Sequence, residues 1–453
     1  MRFNHIEKLP QEMIANLDSL EYREMTAVQA EAIPIAVEGR DIIAQAKTGS
    51  GKTAAFGIPT IMGLNSKWFA PQVLIMTPTR ELADQVTKEL RKLARYRENI
   101  KIVTLCGGVP MRRQIASLEM GAHIAVGTPG RLQDHLSRET LDLSKVSTLV
   151  LDEADRMLDM GFLDDIKRII SHIPAKRQTL LFSATFPPKI EALSRQILKD
   201  PVTIKIESTH TSQIIEQRAY QMERGQKAQA VIDIIQSQKP RSVLIFVNMK
   251  ATSEELADEL YDAGFAVQAL NGDLEQRERN EALLMFANTT VPILIATDVA
   301  SRGLDVKDIE LVINADLPHD PEIYTHRIGR TGRAGSRGVA ITLYTQNQAE
   351  KLPSIAPSAE LSKLDKLDID KKFVLFSDMV TLCIDGGKRS KLRAGDILGT
   401  LCKDIGIDAK DIGKIDIFDY QSYIAVQKSV ANRVFDGLKK SRIKKRNFRV
   451  WRM

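Results

Sequence analysis

Two short segments of this chain combine residue types that could do phosphate chemistry. The first reads Ala-Lys-Thr-Gly-Ser-Gly-Lys-Thr over residues 46–53, after an apolar run at residues 42–44. In such a loop, small residues let backbone N–H groups turn toward phosphate oxygens, Lys52 can reach the β- and γ-phosphates, and the Thr53 hydroxyl suits Mg²⁺. The generic pattern has Gly where Ala46 stands. The candidate phosphate-binding residues are Ala46, Lys47, Thr48, Gly49, Ser50, Gly51, Lys52 and Thr53.

The second segment places two adjacent carboxylates directly after a strand-like apolar run at residues 148–151. Ligands of open α/β sheets collect at the carboxyl ends of the strands, so Asp152 is the expected second anchor for Mg²⁺. Glu153 can then accept a proton from an attacking water. Acidic residues after a strand are often only solvated loop residues. Because both halves of one site occur in one chain, we expect it to bind a nucleoside triphosphate with Mg²⁺ and to hydrolyse it.

Alternation of apolar strands with helical patterns indicates the elements that position these residues. Near-continuous apolar runs belong to parallel sheets that helices cover on both faces. A first series lies at residues 73–76, 123–126, 149–151 and 180–182, and a second at residues 243–247, 293–296, 311–313 and 339–343. Polar residues 207–217 separate the two series and could form a hinge. The pattern predicts two similar α/β domains in tandem.

Bulk composition is typical of a soluble globular protein, with 43 % hydrophobic and 27 % charged residues among 453. No apolar run approaches the roughly 18 residues that span a bilayer, and residues 1–7 lack the apolar core of a secretory signal. We therefore expect no membrane association. Cys106, Cys383 and Cys402 show no metal-ligand spacing and cannot all pair, which favours a reducing, cytoplasmic location.

Positive charge is concentrated at the C-terminal end. Residues 371–453 hold 19 Lys and Arg against nine Asp and no Glu, a net of +10, so the first 370 residues carry −4 of the total +6. The pattern there predicts a strand (380–384), a helix (392–406), two strands (412–418 and 423–426), a helix (430–440) and a strand (443–450). This β-α-β-β-α-β order is a ferredoxin-like layout. The predicted domains are residues 1–207, 208–360 and 372–453, with a linker at 361–371.

Basic residues of the last domain form two groups, and charge runs are often no more than solvated faces. On a domain attached to a nucleotide-hydrolysing core, they indicate nucleic-acid binding instead. The candidate RNA-binding residues among them are Lys388, Arg389, Lys391, Lys444, Lys445 and Arg446.

The motifs of residues 1–350 resemble those of a DEAD-box RNA helicase, whose name-giving tetrad is Asp152-Glu153-Ala154-Asp155. Phe3, Tyr22 and Gln29 are similar to the family's adenine-reading motif, in which an aromatic ring stacks on the base and Gln bonds its edge. Glu21 and Met25 depart from the Gly and Pro that this motif usually has. The loop that begins at Ala46 matches the family's own version.

Further motifs follow in the family's order. Ser183-Ala184-Thr185 resembles the segment that couples hydrolysis to strand opening, through hydroxyl bonds to Asp155. The segment His326–Arg333 resembles the arginine-finger motif, and so implies that Arg330 and Arg333 act on the γ-phosphate and that His326 serves coupling. Gly303 and Asp305 resemble nucleotide contacts. The residues that resemble RNA contacts are Pro78, Thr79, Arg80, Gly108, Thr128, Pro129, Gly130, Arg131, Gln276, Arg279, Thr297 and Asp298.

The resemblance implies two RecA-like domains that close around ATP and Mg²⁺ when RNA binds, followed by an RRM-like domain. The closed clamp would bend one RNA strand and pry short duplexes apart, with little regard for sequence because its contacts are to the backbone. The C-terminal domain is similar to the RRM-like appendage of a bacterial member of the family. That likeness implies docking on a hairpin in the peptidyl-transferase region of 23S ribosomal RNA during large-subunit assembly. We expect a monomer.

Two other readings remain open. The chain could be an RNA-binding scaffold whose nucleotide only locks a clamp, but Glu153 and the arginine pair argue against that. It could also be a DNA translocase of the same superfamily, which Asp155 (rather than His) and the adenine motif disfavour. In the C-terminal domain, residues 419–426 match the aromatic-rich sheet motif of RNA-binding domains poorly. We therefore expect loops or the basic edge, rather than the sheet, to read the RNA.

Overall fold

A seven-stranded, all-parallel sheet forms the first α/β domain. The computed structural model describes residues 1–46, 49–206, 215–301, 309–332 and 338–453. The strands are β1 (Ile42–Gln45), β2 (Val73–Met76), β3 (Ile102–Leu105), β4 (Ile124–Gly127), β5 (Thr148–Leu151), β6 (Gln178–Ser183) and β7 (Val202–Lys205). Their order across the sheet is β3-β4-β2-β5-β6-β1-β7. The parallel arrangement predicted from the apolar runs is confirmed.

Helices cover both faces of this sheet. They are α1 (Gln11–Ser19), α2 (Ala27–Val37), α3 (Lys52–Met62), α4 (Arg80–Leu93), α5 (Met111–Glu119), α6 (Pro129–Ser137), α7 (Ala154–Asp159), α8 (Leu163–Ser171) and α9 (Pro188–Ile197). Alternate residues of one strand enter opposite cores: Val73 and Ile75 lie in one cluster, Leu74 and Met76 in the other. Burial on both sides is why these strands read as continuous apolar runs.

The second α/β domain repeats the plan. Its strands are β8 (Ile215–Gln221), β9 (Val243–Val247), β10 (Val267–Leu270), β11 (Ile293–Thr297), β12 (Leu311–Asn314), β13 (Gly338–Tyr344) and β14 (Glu360–Ser362), in the order β10-β11-β9-β12-β13-β8-β14. Its helices are α10 (Lys227–Gln238), α11 (Lys250–Asp262), α12 (Gln276–Ala287), α13 (Asp298–Ser301), α14 (Pro321–Ile328) and α15 (Leu352–Ile355). Of the predicted hinge at residues 207–217, residues 207–214 lie outside the described residues, and residues 215–217 begin strand β8 instead.

Residues 361–371, expected to be a linker, are tied to the second α/β domain. Strand β14 pairs in parallel with β8. Farther along, Leu375 is buried in the core of that domain, and the Ala266 N–H donates to its carbonyl at 3.3 Å. The Lys239 ammonium also lies 2.7 Å from the Asp370 carboxylate. The second domain therefore holds the chain up to about residue 375.

A four-stranded antiparallel sheet forms the C-terminal domain. Its elements are β15 (Met379–Ile384), α16 (Ala394–Gly399), β16 (Ile412–Ile417), β17 (Ser422–Gln427), α17 (Ala431–Lys440) and β18 (Val450–Arg452), with the strand order β16-β17-β15-β18. The predicted ferredoxin-like order is confirmed. Two details differ: a π-helical turn at Thr400–Asp404 ends the first helix, and the last strand begins at Val450 rather than at residue 443.

One face of this small sheet packs against helix α12 of the second α/β domain. Cys383 and Tyr423 form a buried cluster with Leu284. The Asn288 side-chain amide donates to the Thr381 hydroxyl at 2.8 Å in a buried hydrogen bond. Because the other face carries the domain's own core, both faces of the sheet are covered.

Candidate nucleotide and RNA sites

The carboxyl ends of the first domain's strands divide the predicted site residues into two neighbouring groups. The phosphate, Mg²⁺ and coupling candidates lie at the ends of β1, β5 and β6, while the RNA candidates follow β2, β3 and β4. Because β5 lies between β2 and β6, the acidic tetrad stands where the two groups meet. A topological switch point of this kind is where open α/β sheets bind ligands.

The phosphate-binding loop ends at the N-terminus of α3. Gly51 takes a left-handed conformation there (φ 89°), and a Cβ on it would lie 2.5 Å from the Gln29 side-chain nitrogen. That nitrogen donates to the Gly51 carbonyl at 3.1 Å. Gln29 also caps α2, since its Oε1 accepts from the Thr26 N–H. The adenine-motif glutamine is thus tied directly to the loop. Lys47 and Thr48 lie outside the described residues.

Lys52 and Asp152 face each other across the site, with 3.9 Å between Nζ and Oδ1. Both are buried, and among the described residues neither atom has a hydrogen-bond partner. Burial raises the pKa of Asp152 to about 6, although the Lys52 ammonium lowers it. Buried polar atoms without partners are costly, so this pair fits a phosphate oxygen at the ammonium and a cation at the carboxylate.

Protein ligands for Mg²⁺ are few here, as is usual for sites that share the ion with a substrate. No group of three or more His, Cys, Asp or Glu suited to a metal occurs in the described residues. Asp152 and the half-buried Thr53 would supply oxygen ligands, and phosphates and water the rest.

The described residues also include no helix long and apolar enough to span a membrane.

Glu153 stands in a strained backbone position at the start of α7. Its φ and ψ are 51° and 52°, the left-handed region that L-residues rarely adopt. Such strain costs about 1–3 kcal/mol and is typical of functional sites. The buried carboxylate lies 3.6 Å from the guanidinium of Arg156, which is also buried. Strain and ion pair together set where this carboxylate points.

Asp155 binds the segment that follows β6. Its Oδ2 accepts from the backbone N–H of Thr185 at 2.8 Å, from the Thr185 hydroxyl at 2.9 Å and from the Ala184 N–H at 3.1 Å. The Asp155 N–H donates to the Ser183 hydroxyl at 3.2 Å. The hydroxyl bonds expected between this segment and Asp155 are therefore present.

The adenine-motif aromatics lie side by side. Phe3 is buried at 3 % exposure and meets the edge of the half-buried Tyr22 ring, with centroids 6.2 Å apart. The Tyr22 hydroxyl donates to Glu89 on α4, and burial raises the pKa of Tyr22 well above its ordinary value. Of the two rings, Tyr22 is therefore the one with surface to offer a base.

The first domain's RNA candidates occupy the turns after three adjacent strands. Thr79 caps α4 by accepting from the Leu82 N–H at 3.3 Å, and Arg80 is exposed at the helix start with its guanidinium against Gly107. Thr128 precedes α6, where the Arg131 guanidinium donates to the Val109 carbonyl at 3.1 Å. Pro78 and Gly108 lie in the same turns, and Pro129 and Gly130 are the first two residues of α6. N-termini of helices α4 and α6 suit phosphate contacts.

A buried arginine organises the matching edge of the second domain. Arg327 on α14 makes two 2.7 Å hydrogen bonds to Asp298, which follows β11. It also donates to the Asn248 side chain after β9 and to the Asp316 carbonyl after β12, each at 2.8 Å. The ends of three adjacent strands are thus held by one side chain, which fixes Asp298 beside the buried Thr297.

Other candidates of the second domain lie on nearby elements. Gln276 begins α12, and Arg279, one turn on, donates to the Ala300 carbonyl at 3.1 Å. His326 is half-buried on α14, and Arg330 is buried two residues after the end of that helix. Gly303, Asp305 and Arg333 lie outside the described residues.

The two basic groups of the C-terminal domain form one surface. The Lys444 ammonium donates to the Lys391 carbonyl at 2.8 Å and pairs with Asp396. Lys444 and Lys445 form a tight turn with φ of 50° and 65°, closed by hydrogen bonds between Ile443 and Arg446. Lys388 and Arg389 lie exposed in the neighbouring loop.

Two charged residues at these sites were not predicted. Arg156 and Arg327 are both buried against acidic partners. Arginines are almost never fully buried unless paired, but a partner distant in sequence, such as Asp298, gives no local pattern. The spacing of three residues between Glu153 and Arg156 could have indicated their ion pair, because residues three apart are neighbours on a helix.

Comparison with known proteins places the chain in a family. Residues 26–193 match the DEAD/DEAH box helicase family, residues 226–335 the helicase conserved C-terminal domain, and residues 381–452 the DbpA RNA binding domain. The chain is 45 % identical to the ATP-dependent RNA helicase DbpA of Escherichia coli (strain K12) over 450 residues, 99 % of this chain and 98 % of that protein. It is 38 % identical to the ATP-dependent RNA helicase DbpA of Bacillus subtilis (strain 168), covering 98 % of each.

Solved structures agree with the two-domain core. S. cerevisiae Dbp5 bound to RNA and ADP BeF3 superposes with a TM-score of 0.73 at 30 % identity, over 80 % of this chain and 96 % of that chain. The strand-end geometry, the ordered motifs and these matches agree. The chain belongs to the DEAD-box ATP-dependent RNA helicases, and its C-terminal domain to the DbpA-type RNA-binding domains.

Proposed function

We propose that this helicase uses ATP and Mg²⁺ to open short RNA duplexes locally, and that its C-terminal domain directs it to a hairpin in the peptidyl-transferase region of 23S ribosomal RNA during large-subunit assembly. The observation that carries the targeting is the match of residues 381–452 to the DbpA RNA binding domain, in a segment of net charge +10. We further propose that the protein works as a cytoplasmic monomer.

The nucleotide residues divide the work of phosphoryl transfer. Lys52 would neutralise phosphate charge, and Asp152 with Thr53 would hold Mg²⁺, which supplies further positive charge there. Glu153, held by Arg156, would accept a proton from the attacking water. The unpartnered Lys52 and Asp152 atoms support this assignment, since bound nucleotide would satisfy both.

Turnover would require residues from both RecA-like domains. Lys52 and Glu153 belong to the first domain, while Arg330 belongs to the second. An arginine directed at the transferred phosphate contributes about 10³–10⁵ in rate. RNA that binds both domains would favour their closure and thereby switch hydrolysis on. Hydrolysis would then reset the clamp after a local opening, without travel along the RNA.

ATPase stimulation by a panel of ribosomal RNA fragments and by DNA tests this proposal. The full-length protein should respond to the peptidyl-transferase hairpin at far lower RNA concentration than to other fragments, and weakly to DNA. A variant ending at Ser377 should keep stimulation at high RNA concentration but lose the preference. The end at Ser377 retains Leu375, which the second domain buries. Equal discrimination by both proteins would overturn the targeting proposal.

A further inference from the structure

Two aromatic side chains of the C-terminal domain are exposed at the tip of the hairpin between β16 and β17. Phe418 is 38 % and Tyr420 46 % exposed. The Arg389 guanidinium lies over the Tyr420 ring, 4.8 Å from its centroid. Exposed aromatic rings beside an arginine form the kind of surface on which nucleic-acid bases stack.

The backbone fixes the position of this aromatic tip. The Lys388 N–H donates to the Phe418 carbonyl at 2.8 Å, and the Arg389 N–H to the Asp419 carbonyl at 3.0 Å. Gly387 allows this approach, because a Cβ there would collide with the same two carbonyls. The loop after β15 and the β16–β17 hairpin are therefore joined, which holds Arg389 and Tyr420 together before any ligand arrives.

The usual surface for reading unpaired RNA is closed in this domain. RNA-recognition domains stack bases on aromatics of the exposed sheet face. Here Tyr423, the aromatic at the centre of that face, is buried and its hydroxyl donates to Glu281 on α12 at 3.3 Å. Cys383 and Thr381 on the neighbouring strand are fully buried. Trp451, which pairs with Cys383 on the same face, is partly buried against this cluster, so the exposed rings at the hairpin tip offer a base more surface.

Basic residues flank the aromatic tip on the side of the loop after β15, while the exposed Asp419 lies between its two aromatic residues in the sequence. Lys388 and Arg389 are exposed in the adjoining loop, and Lys391, two residues on, receives the hydrogen bond from Lys444. A nucleotide whose base lay on Tyr420 would have its phosphate within a basic region, which favours an RNA ligand over an apolar protein partner.

We propose that Tyr420, backed by Arg389, is a stacking platform for one unpaired base in the loop of the RNA hairpin that this domain binds. The inference deepens the proposed targeting and rests on it. The platform would supply selectivity for an unpaired loop, which backbone contacts from the surrounding lysines cannot give.

Fluorescence of 2-aminopurine tests the platform in the full-length protein. The probe is the 23S ribosomal hairpin, labelled in turn at each unpaired loop position, with a blunt duplex of the same stem as reference. Tyr420→Ala should weaken hairpin binding about tenfold and abolish the quenching at one position, while duplex binding stays unchanged. Tyr420→Phe keeps the ring and should restore both. The matched control is Tyr261→Ala, since Tyr261 is 71 % exposed on the second RecA-like domain.

Two outcomes distinguish the platform from the targeting on which it rests. If wild-type protein prefers the hairpin and Tyr420→Ala binds it within twofold, with quenching retained at every position, the platform is overturned and the targeting stands. If wild-type protein binds the hairpin and the blunt duplex equally, the targeting fails and the platform with it.

Discussion

The guanidinium of Arg156 lies 3.6 Å from the carboxylate of Glu153, and both side chains are buried one turn apart at the start of α7. This pair bears on catalysis because Glu153 is the proposed proton acceptor. A misplacement of about 1 Å can cost 10²-fold in rate. We therefore expect Arg156→Gln to lower kcat about 10²-fold with little change in ATP affinity, measured by steady-state ATPase and nucleotide titration.

Stability measurements separate positioning by Arg156 from general damage. Removing one partner of a buried pair costs about 3–5 kcal/mol, because the other charge is left uncompensated. The double variant Glu153→Gln/Arg156→Gln should recover most of that loss, and Arg156→Lys should recover part of the turnover. Wild-type turnover in Arg156→Gln would contradict the positioning role.

Stability of the nucleotide-free protein should depend on pH through Asp152. Its pKa of about 6 in the folded chain lies above the ordinary 3.8, so folding disfavours the ionised form. The stabilising contribution of protonated Asp152 is therefore complete below about pH 4 and is lost as the pH rises through 6. The difference between a pKa of 3.8 and one of about 6 corresponds to at most about 3 kcal/mol in the free energy of unfolding.

Replacing the carboxylate checks this sign. At pH 8 without nucleotide, Asp152→Asn should raise the free energy of unfolding by about 1–3 kcal/mol, a gain that shrinks toward pH 4, while ATPase activity is lost. Urea unfolding in a Trp451→Phe background reports the first domain through Trp68, since the chain has two Trp. An equal gain at both pH values would exclude the titration of Asp152 as its cause.

Thr185→Val should separate hydrolysis from strand opening. The change removes the hydroxyl that donates to Asp155 and keeps the side-chain shape. A hydrogen bond to a charged group contributes about 1.5–3 kcal/mol, so we expect at least about tenfold slower duplex separation with ATPase largely retained. Thr179→Val is the control, because Thr179 is a buried threonine of β6 remote from Asp155. Parallel losses in both assays would argue against a coupling role.

Arg330→Ala should lose about 10³-fold in RNA-stimulated turnover, with ATP affinity much less affected, because a finger arginine acts mainly in the transition state. Single-turnover hydrolysis and nucleotide titration measure the two quantities. Arg241→Ala, at an exposed position of the same domain, is the matched surface control. Turnover near the wild-type rate would remove Arg330 from the catalytic set.

We expect Lys445 to lower the stability of the fold slightly and to raise the protein's affinity for RNA. Its φ of 65° is a conformation that Asn tolerates better than Lys. We expect Lys445→Asn to fold at least as stably as wild type, yet to bind the ribosomal hairpin more weakly. The log–log slope of affinity against salt should fall by about 0.7–0.9 per lost phosphate contact. An unchanged salt slope would place Lys445 outside the RNA interface.

Much of the core could be predicted because buried parallel strands are continuous apolar runs, and because loop residues at strand ends carry the chemistry. Edge strand β7 was not predicted: Val202–Lys205 includes polar residues that face outward. The final strand was predicted to begin at residue 443, but Lys444 and Lys445 form a turn with two positive φ angles. Lysine is not a residue type that indicates such a turn in a sequence. The ion pair between Arg327 and Asp298 could not be predicted, because the two residues are distant in the sequence and only the fold brings them into contact.

Helix α12 begins at Gln276, a proposed RNA contact, and meets the C-terminal domain near its other end through Leu284. The eight residue steps from Gln276 to Leu284 span roughly 12 Å of α-helix. An RNA anchored on the appendage would thus reach the motor at a preset distance. RNA substrates with a longer or shorter spacer between the segment that the C-terminal domain binds and the duplex should be opened poorly, however tightly they bind. The helix would thereby select RNAs by the spacing of these two parts.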